Sequence, residues 1–127
     1  MRQTFTIEGR LDGLNESTGS NRANRYAGAK SKRENEEAVM WAIKAAKLKP
    51  MKCPVHIHVT WIEGIKPGAK QFRPRDKDNI RHGMKYIQDA LVNAGIIKND
   101  GFYDVTPSDS YMLNRNNPRI IVELEEV

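Results

Sequence analysis

Residues 54–62 read PVHIHVTWI, with Val55, Ile57, Val59 and Trp61 alternating with His56, His58 and Thr60. A period of two puts the apolar side chains on one face of an extended strand and the polar ones on the other. β-branched and aromatic residues suit that pleated surface, so this is a strand with one face turned to a core. Such a strand needs sheet partners and an apolar layer to cover it. Residues 3–8, QTFTIE, set Phe5 and Ile7 against Thr4, Thr6 and Glu8, and RIIVELE at 119–125 makes a last strand.

The cover comes from two helical patterns. From about Ser31 to Leu48, Val39, Ile43 and Ala46 form one apolar stripe, and Pro50 closes the helix. In DNIRHGMKYIQDALVNAGI, Asp78 or Asn79 caps the start, Ile80, Met84, Ile87 and Leu91 form the buried stripe, and Gly95 suits the C-terminal end. The same period puts Asp78, His82, Lys85 and Asp89 on one polar face. Residues 9–30 are rich in Gly, Asn and Ser and are expected to form a long loop. IIKNDGFYDV, from Ile96, reads as a short extended piece with a turn at Asp100 and Gly101, and Asp104 and Asp109 read as turn residues. Both Trp41 and Trp61 are expected in the core. The order is strand, loop, helix, strand, loop, helix, then one or two strands. It predicts a single α+β domain over residues 1–127, a mixed β-sheet with two main helices packed on it.

Composition narrows the function classes. A chain of 127 residues buries one core, and its mean hydropathy of −0.68 with no long apolar run speaks against a membrane span. The start, MRQTFTIEGR, has no apolar signal region, and Cys53 is alone, so a cytoplasmic location is expected. There is no Walker loop, dinucleotide fingerprint or nucleophile elbow, which argues against a nucleotide cofactor and acyl transfer. The 21 Lys and Arg against 16 Asp and Glu leave +5 and a pI near 9.4, a balance that favours polyanions. Two segments hold cations and no acid: residues 22–33, with Arg22, Arg25, Lys30, Lys32 and Arg33, and residues 64–75, with Lys66, Lys70, Arg73 and Arg75. Tyr26, between Arg25 and Lys30, is a candidate to touch nucleic acid. His56 and His58 share a strand face but lack a third metal ligand at a telling distance.

The second basic segment runs into RPRDKDN at 73–79, where Asp76 and Asp78 stand two positions apart. Extended chain would point both the same way, about 6 to 7 Å apart, and like charges there repel. A raised pKa, basic neighbours or a divalent cation would relieve the repulsion. Two readings stay open: acids complementing a helix N-terminus, or a seat for Mg²⁺, which takes one or two carboxylates plus water and phosphate oxygens. Lys85 and Asp89 on the following helix and Asp100 in the next turn favour the second.

RPRDKDNIRHGMKYIQDALVNAGIIKNDG, residues 73–101, resembles the core motif of the RusA-type Holliday junction resolvases, small phage and bacterial endodeoxyribonucleases, through its D-x-D-N, its K-x-x-x-D-A-L and the Asp that follows. GRLDGLNE and NRYAGAK are similar to the phage-borne branch. The resemblance implies a RusA-like homodimer that uses Mg²⁺ to nick a DNA four-way junction symmetrically. It implies Asp76, Asp78 and Asp100 as metal ligands, Lys85 as the catalytic lysine and Arg75 as a DNA contact. IRHGM stands where shorter members have two residues, about one helical turn more, which leaves His82 as a competitor at the unshifted spacing. Arg22, Arg25, Lys30, Lys32, Lys70, Arg73 and Arg75 are the expected phosphate contacts. The alternatives are a non-catalytic module binding branched or single-stranded DNA, and a nuclease for flaps and forks.

Overall fold

The computed structural model describes residues 1–65 and 68–127, so Lys66 of the second basic segment lies outside the described residues. Four strands, β1 (Arg2–Glu8), β2 (Val55–Glu63), β3 (Val105–Leu113) and β4 (Arg119–Glu126), form one sheet in the order β1-β4-β2-β3. β2 and β3 run parallel and the other pairs antiparallel, so the sheet is mixed as expected. The register aligns the apolar faces. Trp61 opposes Ile120, Val59 opposes Val122 and Ile57 opposes Leu124, while Phe5 and Ile7 face Val122 and Ile120 from the other side of β4. All of these are at most 3% exposed.

The helices are α1 (Leu14–Ala23), α2 (Arg25–Ala46), a one-turn α3 (Lys77–Ile80) and α4 (Met84–Asn93), with a 3₁₀ turn at Arg81–Gly83 joining the last two. Ile80, Met84, Ile87 and Leu91 are buried as the stripe predicts, as are Val39 and Ile43 of α2. Ala46 is exposed. Gly95 takes φ 74 just past α4, the left-handed backbone that glycine adopts most readily there. Gly83 lies against the Trp61 ring, where an added Cβ would meet ring carbons at 3.1 Å.

Several expectations are corrected. Residues 9–30 are not a long loop: most of them form α1 and the first turns of α2, hinged at Asn24, whose side chain accepts from the Ala27 N–H at 2.6 Å. α1 has no buried residue, so its helicity comes from its ends and from lying on α2 rather than from an apolar stripe. Residues 96–104 form turns, and the missing strand is β3, which begins at Val105. Asp109 therefore sits within a strand and not in a turn. Trp41 is 74% exposed, with the Lys44 ammonium 5.9 Å over its ring, and does not belong to the core. His56 and His58 are half-buried, in a chain from His56 Nε2 through Ser108 Oγ (2.8 Å) to His58 Nδ1 (2.6 Å), then from His58 Nε2 to Ser110 Oγ (2.9 Å).

Candidate functional site

The loop that carries the aspartate pair is pinned from beneath by Arg75. Its Nε donates to Glu63 Oε2 at 3.0 Å, its Nη2 donates to Glu63 Oε1, and its Nη1 donates to the Leu11 carbonyl at 3.0 Å. Glu63 is 5% exposed, so this is a covered, bidentate ion pair at the end of β2. Arg75 thus faces inward and fixes the chain just before Asp76, and it offers little to a DNA phosphate.

Asp76 and Asp78 are both exposed, at the start of α3. Asp76 is the N-cap by its backbone, its carbonyl accepting from the Ile80 N–H at 3.0 Å, but its side chain makes no capping bond. Asp78 accepts only from its neighbour Asn79, at 3.1 Å. Neither carboxylate has an ion-pair partner among the described residues. Asn79, expected to cap its own helix, instead accepts from the Asn15 N–H at 2.9 Å and so caps α1. Gly13 lets the chains meet: a Cβ there would collide with the Asn79 side chain. Glu16 completes the junction by accepting from the Gly13 N–H at 2.6 Å.

Beyond Asp78, the polar face of the helix borders α1 and α2, with His82 and Asp89 half-buried and Lys85 exposed. The extra turn in IRHGM falls at the 3₁₀ turn, whose three residues complete one rotation. Both His82 and Lys85 consequently line the same cleft, of about 340 Å³, with Lys32 of α2 and Ser17, Thr18 and Asn21 of α1. The His82 ring stands edge-on to Tyr86, centroids 5.5 Å apart. Burial lifts the Tyr86 phenol above its ordinary 10.0, so it stays neutral. Asp89 reaches Glu36 of α2. Burial first, and then Asp89, raise the Glu36 carboxyl above its ordinary 4.5, outweighing Lys32, 3.8 Å away, and Lys85.

Asp100 is not brought to the pair within one chain. It lines a separate hollow with Gln88, Phe102 and Pro107. Gln88 lies ten residues along from Asp78, roughly 15 Å of helix. Among the described residues, no group of three or more His, Cys, Asp or Glu side chains is set to hold a metal. Asp76 and Asp78 by themselves fit the small carboxylate share that Mg²⁺ takes when phosphate and water supply the rest.

Sequence reasoning missed a second acidic position nearby. Asp109 accepts from Trp61 Nε1 at 2.8 Å, with Arg81 Nη2 3.3 Å from its other oxygen. Burial, then Asp109, raise the Tyr111 hydroxyl above its ordinary 10.0. Arg81 opposes this and Asp78 adds to it, which puts Asp78 within electrostatic reach of this cluster. Asp109 carried no readable signal, because Pro107 interrupts the alternation of its strand. The other expected cations, Arg22, Arg25, Lys30, Lys32, Lys70 and Arg73, are exposed. Tyr26 is 72% exposed. No protein-family model matches the chain, and no curated protein matches it significantly.

Proposed function

We propose that the protein is a Mg²⁺-dependent endodeoxyribonuclease that acts as a homodimer and resolves DNA four-way junctions in recombination and repair. The observation that carries this is the exposed, unpaired Asp76 and Asp78 on a loop anchored by Arg75 and Glu63, beside a lysine-bearing cleft. Asp76 at the N-cap of α3 and Asp78 inside it are both exposed and without an ion-pair partner among the described residues, which leaves both carboxylates open to a divalent cation. Asp76 and Asp78 would hold the metal, which when bound activates water and stabilises charge on phosphate oxygens. Lys85 is the cation that faces the strand being cut, and the exposed basic side chains of α1, α2 and the 68–75 loop meet its backbone.

The distance of Asp100 from the pair favours a second reading, a DNA-binding module without catalysis whose acids only serve the start of α3. One experiment separates the two: labelled four-way junction, linear duplex and flap incubated with Mg²⁺ or EDTA, using wild type and Asp78→Asn. Paired nicks on the junction that need Mg²⁺ and fall at least about 100-fold, or some 2.7 kcal/mol, in the variant are expected. Junction binding without cleavage under any divalent metal would leave the binding module. Nicking of the flap in preference to the junction would change the substrate and keep the chemistry.

A further inference from the structure

We infer that the cleft between α1, α2 and α4 is a phosphate-binding subsite for a nucleic-acid strand, separate from Asp76 and Asp78. Lys32 and Lys85 enter it from different helices, and no carboxylate is among its lining residues. Ser17, Thr18 and Asn21 add neutral donors from α1. Ammonium groups with hydroxyl and amide donors are the set that phosphate oxygens take from a protein. Glu36 lies 3.8 Å from Lys32 as an i,i+4 partner and also faces Asp89, but it is not among the lining residues. At Gly28 the absent side chain leaves room for the Asn21 amide, whose Oδ1 occupies the space a Cβ would take on this wall of the cleft.

This inference rests on the nuclease reading for its choice of ligand. Lys85 follows Asp78 by seven residues, a rise of about 10 to 12 Å through α3, the 3₁₀ turn and α4. A B-form strand carries one phosphate per roughly 3.4 Å of axis, so a strand held at the aspartates would offer a phosphate about three steps on. Lys85 then shares a phosphate that is not cut with Lys32, and the cleft sets the register of the strand over the aspartates.

The test is equilibrium binding of a labelled four-way junction in EDTA, followed by anisotropy across a salt series. It uses wild type, Lys32→Gln, Lys85→Gln, their double variant, Lys32→Arg, and Lys44→Gln as a control on the exposed part of α2. Each single glutamine variant should weaken binding several-fold and lower the slope of log affinity against log salt by about one. The double variant should lose little more than either single one, because one phosphate is lost in each case. Lys32→Arg and Lys44→Gln should keep the wild-type slope. Wild-type binding with unchanged slopes in both single variants would overturn the subsite and leave the nuclease proposal standing, as would fully additive losses, which mean two unrelated surface contacts. Inorganic phosphate binding that depends on both lysines, without any change in the DNA slope, would assign the cleft to a free anion and overturn the strand reading. No junction binding by wild type would remove the proposed function and the subsite together.

Discussion

Arg75 is a test case for how much a neighbouring charge decides. Its sequence position next to Asp76 suggests a DNA contact, yet Glu63 lies 5% exposed at the end of β2 and captures it. Removing one partner of a buried pair leaves an uncompensated charge, so Arg75→Ala should cost about 3 to 5 kcal/mol in urea unfolding. A cost below about 1 kcal/mol would show that Glu63 is solvated in solution, as an exposed pair would be. Glu36 makes a prediction of the other sign. Its folded pKa is raised, by burial first and then by Asp89, so folding favours its protonated form. That contribution is fully present below the unfolded value and is lost as pH rises through the higher folded one. Glu36→Gln removes the titration. Its urea midpoint should therefore gain on wild type as pH rises from about 4 through the window above 4.5. A constant difference between pH 4 and 7 would contradict the raised pKa.

At the scale of elements, α1 should be the least protected of the three longer helices. It buries no residue, and its first turn depends on Asn79, 64 positions away, and on Glu16. Asn79→Ala should cost about 1 kcal/mol, as lost caps do, and should speed amide exchange in α1 before it affects α4. Equal acceleration across both helices would mean that α1 does not open separately. The same dependence explains why α1 was illegible. LNESTGSNRA has low helix propensity and no apolar stripe, and the cap that rescues it comes from a distant loop. β3 was hidden for a related reason: Pro107 and Ser-Asp-Ser break its alternation, and its strand form comes from parallel pairing with β2. Where local pattern and tertiary context agree, as in β1, β2, β4 and the Ile80–Leu91 stripe, the sequence was readable. Of the site, Asp76, Asp78, Lys32 and Lys85 could be found by charge and spacing. Glu63, Asp109 and the inward turn of Arg75 depend on contacts that no spacing reveals.

For the whole molecule, the proposed function requires two symmetric cuts from chains that each carry one exposed Asp76–Asp78 pair. A four-way junction presents two equivalent strands, and a two-fold dimer presents two equivalent pairs. On the proposed reading, the chain's positive charge, carried in part on the exposed Arg22, Arg25, Lys30 and Lys32, would give each protomer a surface for the arms it does not cut. If each nick needs its own pair, inactivating one protomer should stop one cut and spare the other. Mixing equal amounts of wild type and Asp78→Asn, with time for subunit exchange, should make about half of all dimers mixed, if association is random and two-fold. Those dimers should release nicked, unresolved junctions, read on a denaturing gel beside the intact product of paired cutting on a native one. Loss of linear duplex product should then outrun loss of total nicking. If the two fall together, each cut needs both protomers intact. If sedimentation shows only a monomer in the presence of junction DNA, paired cutting must arise from two independent encounters, and the homodimer part of the proposal fails while the aspartate chemistry remains open to the Asp78→Asn test.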